Sequence, residues 1–120
     1  MNLGDKGQDA LSIVIQEMHR VNLLVVSGRV DSNTSPKLSE NLTRQIDSGA
    51  MNLLVDLQEV EYMSSAGLRE LVSALKRVKK DGGDLRLVSP SPRVKEVLDL
   101  AGLTTLFEIF DDRVKAVGSF

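Results

Sequence analysis

The sequence predicts an α/β domain in which helices cover a mixed, mostly parallel β-sheet. Short apolar runs alternate with longer amphipathic segments over most of the 120 residues. Strands that alternate with helices pair in parallel through right-handed crossovers. Two strand-like runs follow one another near the start and predict one antiparallel pair. The expected element order is therefore ββαβαβαβα, and the length suits one domain.

The predicted domain spans residues 11–120. Residues 1–10 are expected to be a flexible N-terminal lead-in, because their glycines and charges follow no structural period. Two β-rich runs, residues 11–16 and 21–27, come next, and the polar break between them predicts a hairpin. The single histidine, His19, falls in this break, where a solvated turn residue is its expected role.

Caps and helical periodicity predict the helices. The segment SPKLSENLTRQIDSG begins with Ser35 as the expected N-cap and Pro36 in the first turn, and it ends at Gly49. The most regular segment, LRELVSALKRVKK, has apolar residues at spacings of three and four with charges on the other face. A third helix is capped by Ser91, and a short terminal helix is expected to open at Asp111.

Three short apolar runs predict the remaining strands: MNLLVDL, LRLVS and LFEIF. Runs of this kind are typical of strands buried on both faces of a sheet. Asp56 ends the first of them, and a buried carboxylate must find hydrogen-bond donors. We therefore expect a structural role for Asp56, with loop amides near Ser64 as its donors.

Composition narrows the possible functions. The net charge is −2 with both signs interspersed, so neither nucleic acid nor an anionic membrane is an expected partner. The absence of cysteine from the sequence excludes disulfides and thiolate metal sites. No run is apolar enough for a membrane span, and the N-terminus is not signal-like. We expect a cytoplasmic protein without a cofactor or metal.

The sequence offers little for catalysis. A Ser-His-Asp triad would have to use His19, and no G-x-S-x-G elbow is present, because Met63 and Ala66 flank the serine pair. The glycines of KDGGDL follow a helix and enter a strand, the reverse of a phosphate-binding P-loop. An enzyme is therefore not expected.

The segment YMSSAGLREL, residues 62–71, joins a strand to the most regular helix. Gly67 lies in the first turn, where a glycine costs about 1 kcal/mol relative to alanine and uncovers the first amide groups. One explanation is structural: Ser64 or Ser65 caps the helix, and Gly67 allows close packing. The other is that a serine here carries a phosphate, because a helix N-terminus accommodates an anion.

The sequence LLVDLQEVEYMSSAGLRELV resembles the signature of STAS domains, specifically the single-domain bacterial anti-sigma factor antagonists. The segments VVSGRVDSNTSPKL and GGDLRLVSPSPRVKEVLDLAGLTTLFEIFDD extend this resemblance over about residues 10–118. It implies the STAS fold and a regulator that binds other proteins.

The resemblance also implies roles for individual residues. Ser65 corresponds to the family's phosphorylated serine, and Ser64 stands where many members carry aspartate. The loop of Asp31, Ser32 and Asn33 corresponds to the partner-facing loop. The implied partner-binding residues are Asp31, Ser32, Asn33, Ser64, Ala66, Gly67, Leu68 and Arg69.

By this resemblance, the unphosphorylated protein would bind an anti-sigma factor that is also a serine kinase and so free a sigma factor. Phosphorylation would end the complex, and a separate serine phosphatase would reset it. A monomer is expected when the protein is free. The alternative is a STAS binding or scaffold subunit of a transport or signalling complex, whose serine is never modified.

Overall fold

The computed structural model describes residues 10–120, so the predicted lead-in lies almost entirely outside the described residues. The element order is the predicted ββαβαβαβα. The elements are β1 (Leu11–Met18), β2 (Val21–Val30), α1 (Ser35–Asp47), β3 (Asn52–Met63), α2 (Ser65–Lys80), β4 (Asp84–Val88), α3 (Pro92–Leu100), β5 (Ile109–Phe110) and α4 (Arg113–Gly118).

The five strands form one mixed sheet in the order β1-β2-β3-β4-β5. Strand β1 is antiparallel to β2, and the other pairs are parallel, as predicted. The β1–β2 hairpin turns through His19 and Arg20, whose φ angles of 51° and 68° are those of a type I′ turn. His19 is thus a turn residue, as expected.

Helices cover the two faces of the sheet unequally. Helices α1, α2 and α3 pack on one face and enclose the main aliphatic core, which includes Leu38, Leu71 and Leu98. The other face carries a smaller apolar cluster, to which α4 contributes Ala116. The strands between the two layers are rich in Leu and Val because their side chains are buried on both sides.

Strand β3 extends farther than its apolar run predicts. It continues through QEVEYM to Met63, and its register with β2 shifts twice, between Val25 and Ser27 and between Gly28 and Arg29. After these shifts Val30 lies opposite Met63. The two strands therefore end side by side, which determines the position of the next loops.

Two predicted caps and one strand differ from the structure. Thr34, not Ser35, is the N-cap residue of α1. It forms no side-chain cap, because its hydroxyl oxygen accepts from the Asp31 amide at 2.9 Å while the hydroxyl donates to the Arg29 carbonyl at 2.7 Å. Asp112, not Asp111, caps α4, where its carboxylate accepts from the Val114 amide at 2.7 Å. Of the run LFEIF, only Ile109–Phe110 is a strand.

Candidate functional site

The ends of β2 and β3 bring two connecting segments together. The Ser64 amide donates a hydrogen bond of 2.8 Å to the Val30 carbonyl, across the last paired residues of the two strands. The loop of residues 31–34 therefore starts next to the first turn of α2. This is the carboxyl edge of the parallel strands, where open α/β sheets usually bind their ligands.

Ser64 and Ser65 have different structural roles. Ser64 is half-buried and is the N-cap of α2, with extended backbone angles of φ −89° and ψ 172°. Its hydroxyl accepts a hydrogen bond from the Gly67 amide at 3.4 Å. Ser65 is the first residue of the helix and is exposed. Within residues 10–120 its side chain makes no hydrogen bond, so its hydroxyl is accessible to another protein.

Gly67 allows α2 to pack closely on the strands. The residue is buried, and a Cβ atom built on it would overlap Met63 Sδ and the Cγ1 atom of Val30. Both neighbours belong to the main core, so neither can move without disturbing the packing. The close approach of helix to strand therefore explains this glycine.

The other predicted partner-binding residues of the helix differ in exposure. Leu68 is buried in the main core at 6% exposure, whereas Ala66 is half-buried and Arg69 is exposed. Of the predicted residues in this turn, Ser65 and Arg69 thus present side chains most openly. Gly67 and Leu68 are buried, so they can support a partner surface only by holding the backbone of the first turn of α2 in place.

Asp31 organises its own loop. Its Oδ1 atom accepts hydrogen bonds from the amides of Asn33 at 2.9 Å and Thr34 at 3.1 Å. The hydrogen bond from the Thr34 amide is the main cause that holds the pKa of Asp31 below its ordinary value, and desolvation of the carboxylate opposes it. Ser32 and Asn33 are exposed. They can contact a partner directly, while Asp31 shapes the loop that presents them.

One pair of side chains beside this edge was not expected from the sequence. The Arg29 guanidinium lies over the Tyr62 ring, 4.6 Å from its centroid, in a cation–π contact. The two residues are register partners on β2 and β3. The pairing follows the second register shift between the strands, so no residue spacing in the sequence could have indicated it.

Asp56 is structural, but its donors are not those expected near Ser64. The residue is 3% exposed, and its carboxylate accepts from the Gln58 amide at 3.0 Å and from Arg113 Nη2 at 2.6 Å. Arg113 belongs to α4, on the second face of the sheet. The expectation about the donors is wrong because side chains alternate along a strand, and that of Asp56 points toward α4.

Residues 10–120 lack features suited to metal binding or to membrane insertion. These residues hold no group of three or more His, Cys, Asp or Glu side chains placed to bind a metal ion. None of their helices is both long and apolar enough to cross a bilayer. A cavity of about 500 Å³ lies between the β1–β2 turn and α4 and shares no residue with the β2–β3 edge.

The family of the chain is clear. Residues 12–116 match the family model of the STAS domain, so the chain belongs to the STAS domain family. The anti-sigma-B factor antagonist of Bacillus subtilis is 37% identical, with 70% of this chain and 76% of that protein covered. The anti-sigma-B factor antagonist of Listeria monocytogenes is 35% identical, over 82% of this chain and 88% of its own. These names describe regulators, in agreement with the expectation that this chain is not an enzyme.

Solved structures share the fold. An anti-sigma factor antagonist from Mycobacterium paratuberculosis superimposes with a TM-score of 0.84 at 24% identity, over 92% of this chain and 94% of that one. The Bacillus cell fate determinant SpoIIAA in its phosphorylated form gives a TM-score of 0.73 at 16% identity, over 90% of this chain and 98% of its own. The STAS fold predicted from the sequence is thus confirmed.

Proposed function

We propose that this chain is an anti-sigma factor antagonist that works as a phosphorylation switch at Ser65. In its unphosphorylated form it binds an anti-sigma factor that is also a serine kinase, and so frees a sigma factor. The different roles of the two serines carry the proposal: Ser64 caps α2, whereas Ser65 is exposed at the helix N-terminus. The names of the relatives and the phosphorylated form of SpoIIAA support it.

The contact surface consists of the exposed side chains at the ends of β2 and β3. Ser32 and Asn33 lie on one side, and Ser65 and Arg69 on the other. The Ser64–Val30 hydrogen bond of 2.8 Å holds the two segments together. A phosphate on Ser65 lies inside this surface, where it adds a charge of about −1.5 to −2.

That charge is enough to end a complex of ordinary strength. Each 1.4 kcal/mol lost weakens binding about tenfold, so a loss of about 3 kcal/mol releases a partner held at micromolar concentrations. The fold persists because the helix N-terminus accommodates an anion. A serine phosphatase then restores the binding form, and the whole cycle takes place in the cytoplasm.

Intact-mass measurement after incubation with ATP and a GHKL-type serine kinase from the same organism tests the switch. We expect one added phosphate, located on Ser65 by fragment-ion mapping. Ser65→Ala should remain unmodified and bind the kinase constitutively, whereas Ser64→Ala, the matched control, should still accept phosphate. Phosphate on Ser64 would refute the residue assignment. If no cognate kinase modifies either serine, an unmodified STAS scaffold subunit becomes the better explanation.

Hydrogen–deuterium exchange with and without the kinase tests the surface separately. Protection is expected in residues 31–34 and in the first two turns of α2. The opposite end of that helix, Lys79 to Asp84, is the internal control and should exchange at an unchanged rate. Protection confined to this distant end would place the partner elsewhere.

A further inference from the structure

Strand β1 forms one edge of the sheet, and within the described part of the chain no strand pairs with its outer side. It pairs with β2 over all eight of its residues without a register shift. The Ala10 carbonyl accepts from the Arg29 amide at 2.8 Å, so the even-numbered residues of β1 bond to β2. The odd-numbered residues point their backbone groups outward. The Leu11 carbonyl shows this directly, because it accepts from Lys37 Nζ at 2.6 Å.

This edge has few of the features that normally block strand addition. Natural edge strands are protected by Lys, Pro, bulges or short length. β1 contains no Lys or Pro and one charge, Glu17, while Val14 and Ile15 are 51% and 36% exposed. Among residues 10–120 no other strand pairs with its outer side. The outward amides and carbonyls of Ile13, Ile15 and Glu17 are thus available to another strand.

We propose that β1 pairs antiparallel with β1 of a second copy of this chain, centred on Val14. The two five-stranded sheets then join into one continuous sheet. Ile13 of each copy lies opposite Ile15 of the other, and the two Val14 side chains meet on the second face. Cross-strand pairs of β-branched residues stabilise such a ladder. This dimer differs from the monomer expected from the sequence.

Charge complementarity selects a second copy as the occupant and fixes the register. Centring on Val14 places Leu11 opposite Glu17 of the other copy. Lys37 already reaches the Leu11 carbonyl, so its ammonium meets that incoming carboxylate as the ladder forms. The two-fold symmetry produces this contact twice. A register centred on Ile15 would instead place Glu17 opposite Ile13, two residues along β1 from the Leu11 carbonyl that Lys37 contacts.

Sedimentation velocity from about 1 µM to about 1 mM, with charge-swap variants, tests the pairing. The wild type should dimerise as concentration rises. Glu17→Lys and Lys37→Glu should each weaken the dimer about tenfold, because each places two like-charge pairs at the interface. The double variant should restore it. A wild type that stays monomeric, or a double variant no better than the single ones, overturns the proposal.

A backbone variant tests the edge itself. Proline at residue 15 removes an outward amide and leaves the bonds to β2 intact, and proline is tolerated on the free side of an edge strand. Ile15→Pro should therefore stay folded by circular dichroism and be monomeric. Ile15→Thr keeps the amide and is its control, which should still dimerise. Undiminished dimerisation of folded Ile15→Pro would exclude this edge.

Disulfide trapping tests the register, since the natural sequence contains no cysteine. The two Val14 residues would form a non-hydrogen-bonded pair with Cα atoms about 4.5 Å apart, within the range of a disulfide. Val14→Cys should form a linked dimer on mild oxidation, whereas Ser12→Cys should not. Equal linking of both variants would refute the register. The double variant Val14→Cys/Ser65→Ala should form the linked dimer as readily as Val14→Cys alone. The test of the dimer therefore does not depend on the proposed phosphorylation switch.

Discussion

Ser64 and Ser65 are neighbours with the same side chain but should differ in their effect on stability. Ser64→Ala removes the hydroxyl that accepts from the Gly67 amide and should lower the free energy of unfolding by about 0.5–1 kcal/mol. Ser65→Ala alters an exposed helix position and should change it by less than about 0.5 kcal/mol. Urea denaturation of the two variants measures both values. Equal losses would mean that the cap is shared between the serines.

Asp31 should titrate below its ordinary value of 3.8, as measured by the NMR shift of its carboxyl carbon. A folded-state pKa below the unfolded one means that the stabilisation is complete above the unfolded pKa. It is then lost as the pH falls through the folded pKa. We therefore expect the loop of residues 31–34 to loosen only in acid. In Asp31→Asn, amide exchange of Asn33 and Thr34 should instead be faster already at neutral pH. An unshifted titration would show that the two amide bonds are not kept in solution.

The sequence could identify these residues but not assign their roles. Two adjacent serines before a helix are equally good caps by composition, and only the family resemblance favoured Ser65 as the phosphorylated residue. The cap at Ser91 was predictable because Pro92 fixes the first turn, and its hydroxyl does accept from the Val94 amide at 3.4 Å. The missing side-chain cap at Thr34 was not predictable, because its hydroxyl accepts from the Asp31 amide and donates to the Arg29 carbonyl of β2.

At the scale of the element, the packing of α2 on β2 and β3 depends on Gly67. Gly67→Ala should lower the free energy of unfolding by about 1–3 kcal/mol, because the new methyl group overlaps Met63 and Val30. Gly118→Ala in α4 is the control: nothing lies within 4 Å of its added Cβ, so it should be neutral or stabilising. Thermal unfolding compares the two. A neutral Gly67→Ala would show that the helix can move away at little cost.

The N-terminus of α2 should favour a negative charge, because the first turn of the helix contains no acidic residue. Ser65→Asp places a carboxylate at the positive end of the helix dipole and should raise the free energy of unfolding by about 0.3–1 kcal/mol at low salt. Ser73→Asp is the control, at an exposed position in the middle of the same helix, where this gain is absent. Denaturation at low and high salt separates the electrostatic part. If Ser65→Asp instead lowers the free energy of unfolding, the helix N-terminus does not favour a negative charge, which would count against a phosphate on Ser65.

Elements with strong local signals were predictable, and those fixed by long-range contacts were not. The amphipathic period and the terminal glycines located α2 closely. Strand β3 was predicted too short because residues 58–63 pair with β2 only after two register shifts, which depend on the packed sheet. Strand β5 was predicted too long because Phe107 leaves the strand direction to enter the main core.

At the scale of the whole molecule, α4 is joined to the sheet by the ion pair of Asp56 and Arg113. The Asp56 side chain is 5% exposed and the Arg113 side chain 42%. The buried carboxylate therefore needs this ion pair more than the partly hydrated guanidinium does. Arg113→Gln leaves a buried carboxylate without its charge partner and should cost about 2–4 kcal/mol. Asp56→Asn keeps an acceptor for the Gln58 amide and leaves Arg113 partly in water, so it should cost less. Urea denaturation gives both values.

Hydrogen exchange shows whether the loss of stability in Arg113→Gln and Asp56→Asn is confined to α4. Both variants should speed exchange in α4 more than in α2, because the pair holds α4 and not the main core. Arg44→Gln, which breaks an exposed ion pair with Glu40, is the control and should have almost no effect. Asp56→Asn costing more than Arg113→Gln would mean that the carboxylate has a further role.

The fold class was predictable from periodicity alone, whereas the second face of the sheet was not. Local pattern gave the order of strands and helices and the parallel pairing. The contact between Asp56 and Arg113 joins residues 57 positions apart, and neither residue has a local signal for the other. The sequence showed Asp56 to be buried, and only the assembled sheet shows what neutralises it.

The strands lie in the sheet in the same order as in the chain. Each new strand therefore adds to an edge that already exists, so the sheet can grow one strand at a time while the polypeptide leaves the ribosome. The short α4, which covers the second apolar cluster, is made after all five strands. Until the residues of α4 emerge, that cluster faces water, and the Asp56 carboxylate lacks its charge partner Arg113. Helix α4 thus completes this sheet's second face, and a nascent chain stalled before residue 113 leaves that apolar cluster uncovered, a state that favours aggregation.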